Sequence, residues 1–124
     1  MARILLAEDE DTLRAMLVRA FEPEHKVVAA ADGGAALDAL TDADGAFDLL
    51  LTDIRMPVMD GIALALAAAR DYPDLTILMM TGFADQRERA HNLEALIHDV
   101  ITKPFSLAAI RQAVEEALAS RRKH

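Results

Sequence analysis

Cysteine is absent from the 124 residues, which excludes a disulfide framework and any thiolate site. Basic residues are scarce. Thirteen Lys and Arg stand against 21 Asp and Glu, a net charge of -8, so direct binding of nucleic acid is not expected. The one basic cluster, Arg121-Arg122-Lys123, reads as a solvated helix end. No apolar run approaches the ~18 residues needed to span a bilayer. No basic segment followed by an apolar one opens the chain, so neither export nor membrane contact is expected and a cytoplasmic protein is. Repeats, linkers and low-complexity stretches are missing as well.

What is present is a chain of one-domain length, 53% hydrophobic, with enough apolar mass for a core. Arg3 to Ala7 is a short apolar run that stops on Glu8-Asp9-Glu10-Asp11. Leu13, Met16, Leu17 and Ala20 then fall at helical spacing, and Pro23 lies beyond them. Lys26 to Ala31 reads as a second strand. Ala36, Leu37 and Leu40 mark a second helix between the Asp32-Gly33-Gly34 turn and Gly45. Phe47 to Thr52 is a third strand whose Leu49-Leu50-Leu51 run suits cover on both faces.

Beyond a Pro/Asp/Gly-punctuated loop, Ile62, Ala65, Leu66 and Ala69 predict a third helix. Leu75 to Met80 predicts a fourth strand, Asp85 to Leu96 a polar helix, and Ile97 to Ile101 a fifth strand. Ser106 can cap a last helix faced by Ile110, Val114, Ala117 and Leu118. Five strands alternating with five helices predict a parallel sheet between helical layers, joined by right-handed crossovers.

In open sheets of this kind sites form beyond the carboxyl ends of the strands. Every unusual polar residue falls there: Glu8 and Asp9 after strand one, Asp53 after three, Thr81 after four, Lys103 after five. Converging carboxylates repel one another, and a hard divalent cation relieves the conflict. Mg²⁺ suits the set because it accepts one or two carboxylates, keeps waters and leaves room for a phosphate oxygen. With the Lys103 ammonium and the Thr81 hydroxyl beside it, Asp53 could serve as a nucleophile toward a phosphoryl group. Met56, Met59, Met79 and Met80 read as packing, and His25, His91, His98 and His124 share no ligand spacing and are assigned no chemistry.

These motifs together resemble the receiver domain of two-component response regulators along essentially the whole chain. They run from Glu8-Asp9, through Asp53 with its Met56-Pro57-x-x-Asp60-Gly61 loop, to Thr81-Gly82 and Lys103-Pro104-Phe105. The resemblance implies a single flavodoxin-like (βα)5 domain over residues 1-124, with strand order 2-1-3-4-5 and no output domain. It implies phosphoryl transfer to Asp53 from the phosphohistidine of a histidine kinase or histidine phosphotransferase. It also implies Mg²⁺ held by Asp9, Asp53 and the backbone carbonyl of Arg55, with Glu8 acting through water. Thr81 and Lys103 would then bind the phosphoryl oxygens, and Lys103-Pro104 would be cis.

The chain would be a switch and not a turnover enzyme, a monomer or a phosphorylation-dependent dimer, with a downstream protein as its output partner. The Leu5-Leu6-Ala7-Glu8-Asp9 start and the Thr81-Gly82-Phe83-Ala84 string resemble the stand-alone members. Those link a phosphorelay to regulated proteolysis, which makes a protease adaptor system the implied partner. A receiver cut from a DNA-binding regulator or hybrid kinase is the alternative within the family. Outside it stand an Mg²⁺-dependent aspartyl phosphatase and a flavodoxin-type cofactor carrier. The phosphatase usually needs an acid/base Asp two residues after its nucleophile, where this chain has Arg55, and the carrier needs a Ser/Thr-rich loop after strand one, which is missing. Two positions depart from the receiver pattern: Val100 occupies a commonly aromatic place, and Leu96-Ile97 replaces a small pair.

Overall fold

The computed structural model describes residues 1–82, 88–90 and 92–122, the side chains of the last two apart. In chain order the elements are β1 (Arg3–Ala7), α1 (Asp11–Phe21), β2 (Lys26–Ala30), α2 (Gly33–Asp42), β3 (Leu49–Asp53), α3 (Gly61–Asp71), β4 (Thr76–Thr81), β5 (Asp99–Thr102) and α4 (Leu107–Arg122). The strands form one parallel sheet in the order β2-β1-β3-β4-β5, as the alternation and the resemblance imply.

Pleating explains why the central strands carry apolar residues without a break. Successive side chains point to opposite faces, so Leu5, Leu50, Ile77 and Met79 enter one core with α2 and α3. Ile4, Leu6, Leu49, Leu51, Leu78 and Met80 enter the other with α1 and α4. Both faces are covered, and β3 is buried at all five positions. The edge strands β2 and β5 are largely exposed or half-buried.

Caps fix the helix starts. Asp32 accepts the Ala35 N–H at 2.7 Å, Asp60 the Ala63 N–H at 2.8 Å, and Ser106 the Ala109 N–H at 3.0 Å. The Ser106 cap was expected from sequence.

Several sequence expectations are corrected. The buried face of α3 is Gly61, Ile62, Leu64, Ala65 and Ala68, while Leu66 is 45% exposed. The stripe through Leu66 and Ala69 is therefore rotated from the true one. An almost wholly apolar helix offers no polar face to fix its phase. Met16 of α1 is likewise exposed, and Leu17, Ala20 and Phe21 are the buried residues. Strand three begins at Leu49 because Phe47 sits in a turn, its N–H donating to Gly45 O. Strand five begins at Asp99, two residues later than expected. Of the polar helix expected over Asp85–Leu96, residues 88–90 are helical and 92–96 form turns, while 85–87 and 91 lie outside the described residues.

Candidate functional site

The strand order reverses between β1 and β3, and their carboxyl ends leave a crevice there. Glu8 follows β1, Asp53 ends β3, Thr81 ends β4 and Lys103 follows β5. Glu8, Asp53 and Thr81 are buried, while Asp9 is exposed at the mouth. Ligand oxygens of Glu8, Asp9 and Asp53 all lie within 4.8 Å of one another.

Lys103 holds this set together. Its Nζ donates to Glu8 Oε1 and to Asp53 Oδ2, both at 2.9 Å. The other carboxylate oxygens take backbone donors: Glu8 Oε2 accepts from the Glu10 N–H at 3.0 Å, and Asp53 Oδ1 from the Ile54 N–H at 2.8 Å. Arg14 Nη1 donates to the Glu8 carbonyl at 2.9 Å, which ties α1 to the same corner. Main-chain bonds position the lysine as well, since Lys103 N–H donates to Thr81 O at 2.7 Å and the Lys103-Pro104 peptide is cis.

Electrostatics follow from this crowding. Burial is the largest influence on Lys103 and lowers its pKa, but the hydrogen bonds to Asp53 and Glu8 and their charges outweigh it. The pKa therefore lies above the ordinary 10.5. Asp9 is raised above the ordinary 3.8 by desolvation, then by a hydrogen bond with Glu8 and by Glu8's charge. Three carboxylates against one ammonium leave an excess of negative charge that a hard cation would neutralise. All the donors are oxygens, two of the carboxylates are buried, and one faces the mouth, so the residues present fit Mg²⁺.

The loop after Asp53 runs to Gly61, with Arg55 exposed on it. At its base Gly61 N–H donates to Ile54 O at 2.7 Å. Only glycine fits there, because a Cβ on Gly61 would stand 2.0 Å from the Asp53 carbonyl oxygen.

The sequence reading brought Glu8, Asp9, Asp53, Thr81 and Lys103 to this rim, and the structure places all five there. What it missed is the direct Glu8–Lys103 contact and the part of Arg14, neither of which has a spacing signal. It also assigned nothing to His25, which is 6% exposed at the opposite rim. Its Nδ1 accepts from the Ala2 N–H at 3.0 Å and its Nε2 lies 2.8 Å from Glu115 Oε1.

This is the constellation of a phosphoryl-accepting signalling domain, and the chain belongs to the family described as the response regulator receiver domain, which matches residues 4–115. It is 42% identical to the response regulator receiver protein CpdR of Brucella abortus over 119 residues, 95% of this chain and 98% of CpdR. It is 35% identical to the sensor kinase CckA of the same organism, covering 94% of this chain but only 12% of CckA. A CheY-like receiver domain protein from Methanospirillum hungatei superposes with a TM-score of 0.89 at 27% identity, over 99% of this chain and 98% of that one. No helix among the described residues is long and apolar enough to cross a membrane.

Proposed function

We propose that this chain is a cytoplasmic phosphoacceptor switch in which Asp53 receives a phosphoryl group from the phosphohistidine of a histidine kinase or histidine phosphotransferase. The observation that carries the reading is the single Lys103 ammonium bridging buried Glu8 and Asp53 at the β1/β3 crevice. An Asp53 carboxylate oxygen forms the new P–O bond while the P–N bond of the donor breaks, its electron pair leaving on the imidazole nitrogen. Lys103, already 2.9 Å from Asp53 Oδ2, follows the charge onto a phosphoryl oxygen. Thr81, at the end of β4, offers its hydroxyl to another. Asp9, Asp53 and the Arg55 backbone carbonyl would hold Mg²⁺, with Glu8 acting through water, and the bound ion would supply charge neutralisation to the transferred group.

The donor docks where α1 meets the β5–α4 corner. A hollow of about 330 Å³ lined by Leu13, Lys103, Pro104 and Phe105 opens beside the lysine. A second of about 200 Å³, lined by Met16, Arg19, Ala20, Leu107 and Arg111, lies between the two helices. Apolar floors and arginines on an otherwise acidic protein suit an amphipathic helix with acidic flanks.

Phosphorylation adds about -1.5 to -2 charges at Asp53 and biases an equilibrium between two conformations, so the product is a changed binding surface and not a released molecule. The match over nearly all of CpdR supports a receiver that acts by itself. The output we infer from the resemblance to stand-alone receivers is control of regulated proteolysis, with a protease adaptor system as the downstream partner. Incubation with acetyl phosphate tests the reading: intact-mass measurement gives a gain of one phosphoryl group that depends on Mg²⁺. No gain with any phosphodonor, or a gain unaffected by chelation, would overturn it.

A further inference from the structure

We propose that Gly33, in the first turn of α2, is a positioning residue for the loop that follows Asp53, because its bare Cα is the seat of the Met59 carbonyl. A Cβ on Gly33 would stand 2.1 Å from Met59 O and 2.8 Å from Met59 C, both main-chain atoms that cannot swing aside. The neighbouring Gly34 makes the contrast. Its Cβ would meet Val58 Cγ1 at 3.0 Å and Asp32 Oδ1 at 3.2 Å, and these are side-chain atoms.

The loop needs such a seat because its own sequence opposes its shape. Met59 N–H donates to Pro57 O at 2.7 Å, which closes a three-residue turn around Val58. Val58 adopts φ +69 there and is 86% exposed. A left-handed conformation is unfavourable for a β-branched residue, and this turn form is itself strained. With so little of Val58 buried, its packing cannot compensate. The conformation is instead imposed by what the loop's main chain rests on: Gly61 against Asp53 at the base, Gly33 against Met59 at the tip. Between those supports lie the Asp53 carboxylate, held by the Ile54 N–H, and the Arg55 carbonyl. Gly33 thus acts on the site from another helix, through the Met59 carbonyl.

This inference rests on the proposed reading of the site as a Mg²⁺ and phosphoryl centre, and its test separates the two. ¹⁵N-labelled wild type, Gly33→Ala and Gly34→Ala are titrated with Mg²⁺ while amide shifts are followed, and amide exchange is measured without metal. The expected result is a loss of Mg²⁺ affinity of about tenfold or more in Gly33→Ala, and a change within about twofold in Gly34→Ala. Without metal, the Ile54 and Gly61 amides exchange faster in Gly33→Ala alone. Equal affinities in the two variants, with those amides unchanged, would overturn the proposal. If wild type bound no Mg²⁺ the metal reading would fail, and the amides would still decide the role of Gly33.

Should Gly33→Ala not fold, Asp32→Asn and Asp32→Ala replace it. Both remove the charge, but only alanine removes the cap that anchors the first turn of α2. Alanine is expected to weaken Mg²⁺ binding about threefold more than asparagine, and equal binding by the two would overturn the seat.

Discussion

At the amino-end rim of the sheet His25 is buried with both ring nitrogens engaged, Nδ1 by the Ala2 N–H and Nε2 by Glu115. At the carboxyl-end rim Glu8 and Asp53 are buried around one shared ammonium, with Asp9 beside them. On donor types alone either cluster could hold a metal, since Glu24, His25 and Glu115 also lie within 4.8 Å. The difference is in charge and satisfaction. With Nδ1 accepting a backbone N–H, His25 carries its proton on Nε2 and donates it to Glu115, a neutral ring closed on both sides. The other rim is left with more negative charge than its lysine can neutralise. A satisfied buried polar group is part of the fold, whereas an unbalanced one is a place for a ligand to complete.

The largest effect separating the rims is expected from Lys103→Met. It leaves Glu8 and Asp53 buried without their cation, so chemical denaturation should show a loss of about 3 kcal/mol, and phosphorylation should slow by about a hundredfold. The stability gap carries a pH signature. Lys103 has a raised folded pKa, so its contribution is complete below the ordinary 10.5 and fades as pH rises through the folded value. Wild type and variant should therefore converge in strong alkali. A gap that stayed constant across that range would mean that charge is not what Lys103 contributes.

His25→Ala should cost less, about 2 kcal/mol in a urea titration, through the unpaired Ala2 N–H and the space left behind. Its phosphorylation rate should stay within about twofold of wild type. A rate that fell with stability would erase the distinction between the rims.

The smallest effect is expected from Asp9→Asn. The raised pKa of Asp9 means that folding favours its protonated form, so its contribution is present below 3.8 and lost as pH rises through the folded value. At neutral pH without metal the ionised side chain is a burden, and the variant should melt slightly higher than wild type. With Mg²⁺ present the order should reverse, because the metal then binds the folded wild type more tightly.

How much of this was legible in the sequence differs between the same two regions. The carboxyl-end site could be read because each of its residues terminates an apolar strand, and a parallel sheet brings such ends together. Glu8, Asp53, Thr81 and Lys103 are separated in sequence but share one position in the strand–loop pattern. His25 had no comparable signal, since its partners are 23 and 90 residues away and one of them is a backbone amide. The face of α3 was misread because alanine and leucine surround that helix on every side, so its phase is set by the sheet and not by its own pattern. The strain at Val58 was hidden for a related reason. A valine in a loop reads as unremarkable until the backbone of α2 is known to press on the turn.

Borohydride trapping reports directly whether Asp53 is the residue that accepts the phosphoryl group. The phosphorylated protein, formed with acetyl phosphate and Mg²⁺, is treated with borohydride, which reduces an acyl phosphate to an alcohol, and the peptides are then mapped by mass. Homoserine is expected at position 53 and at no other acidic residue, with none in Asp53→Asn. Reduction at Asp9 or Glu8, or an unreduced Asp53 in a protein that carries the phosphoryl group, would contradict it.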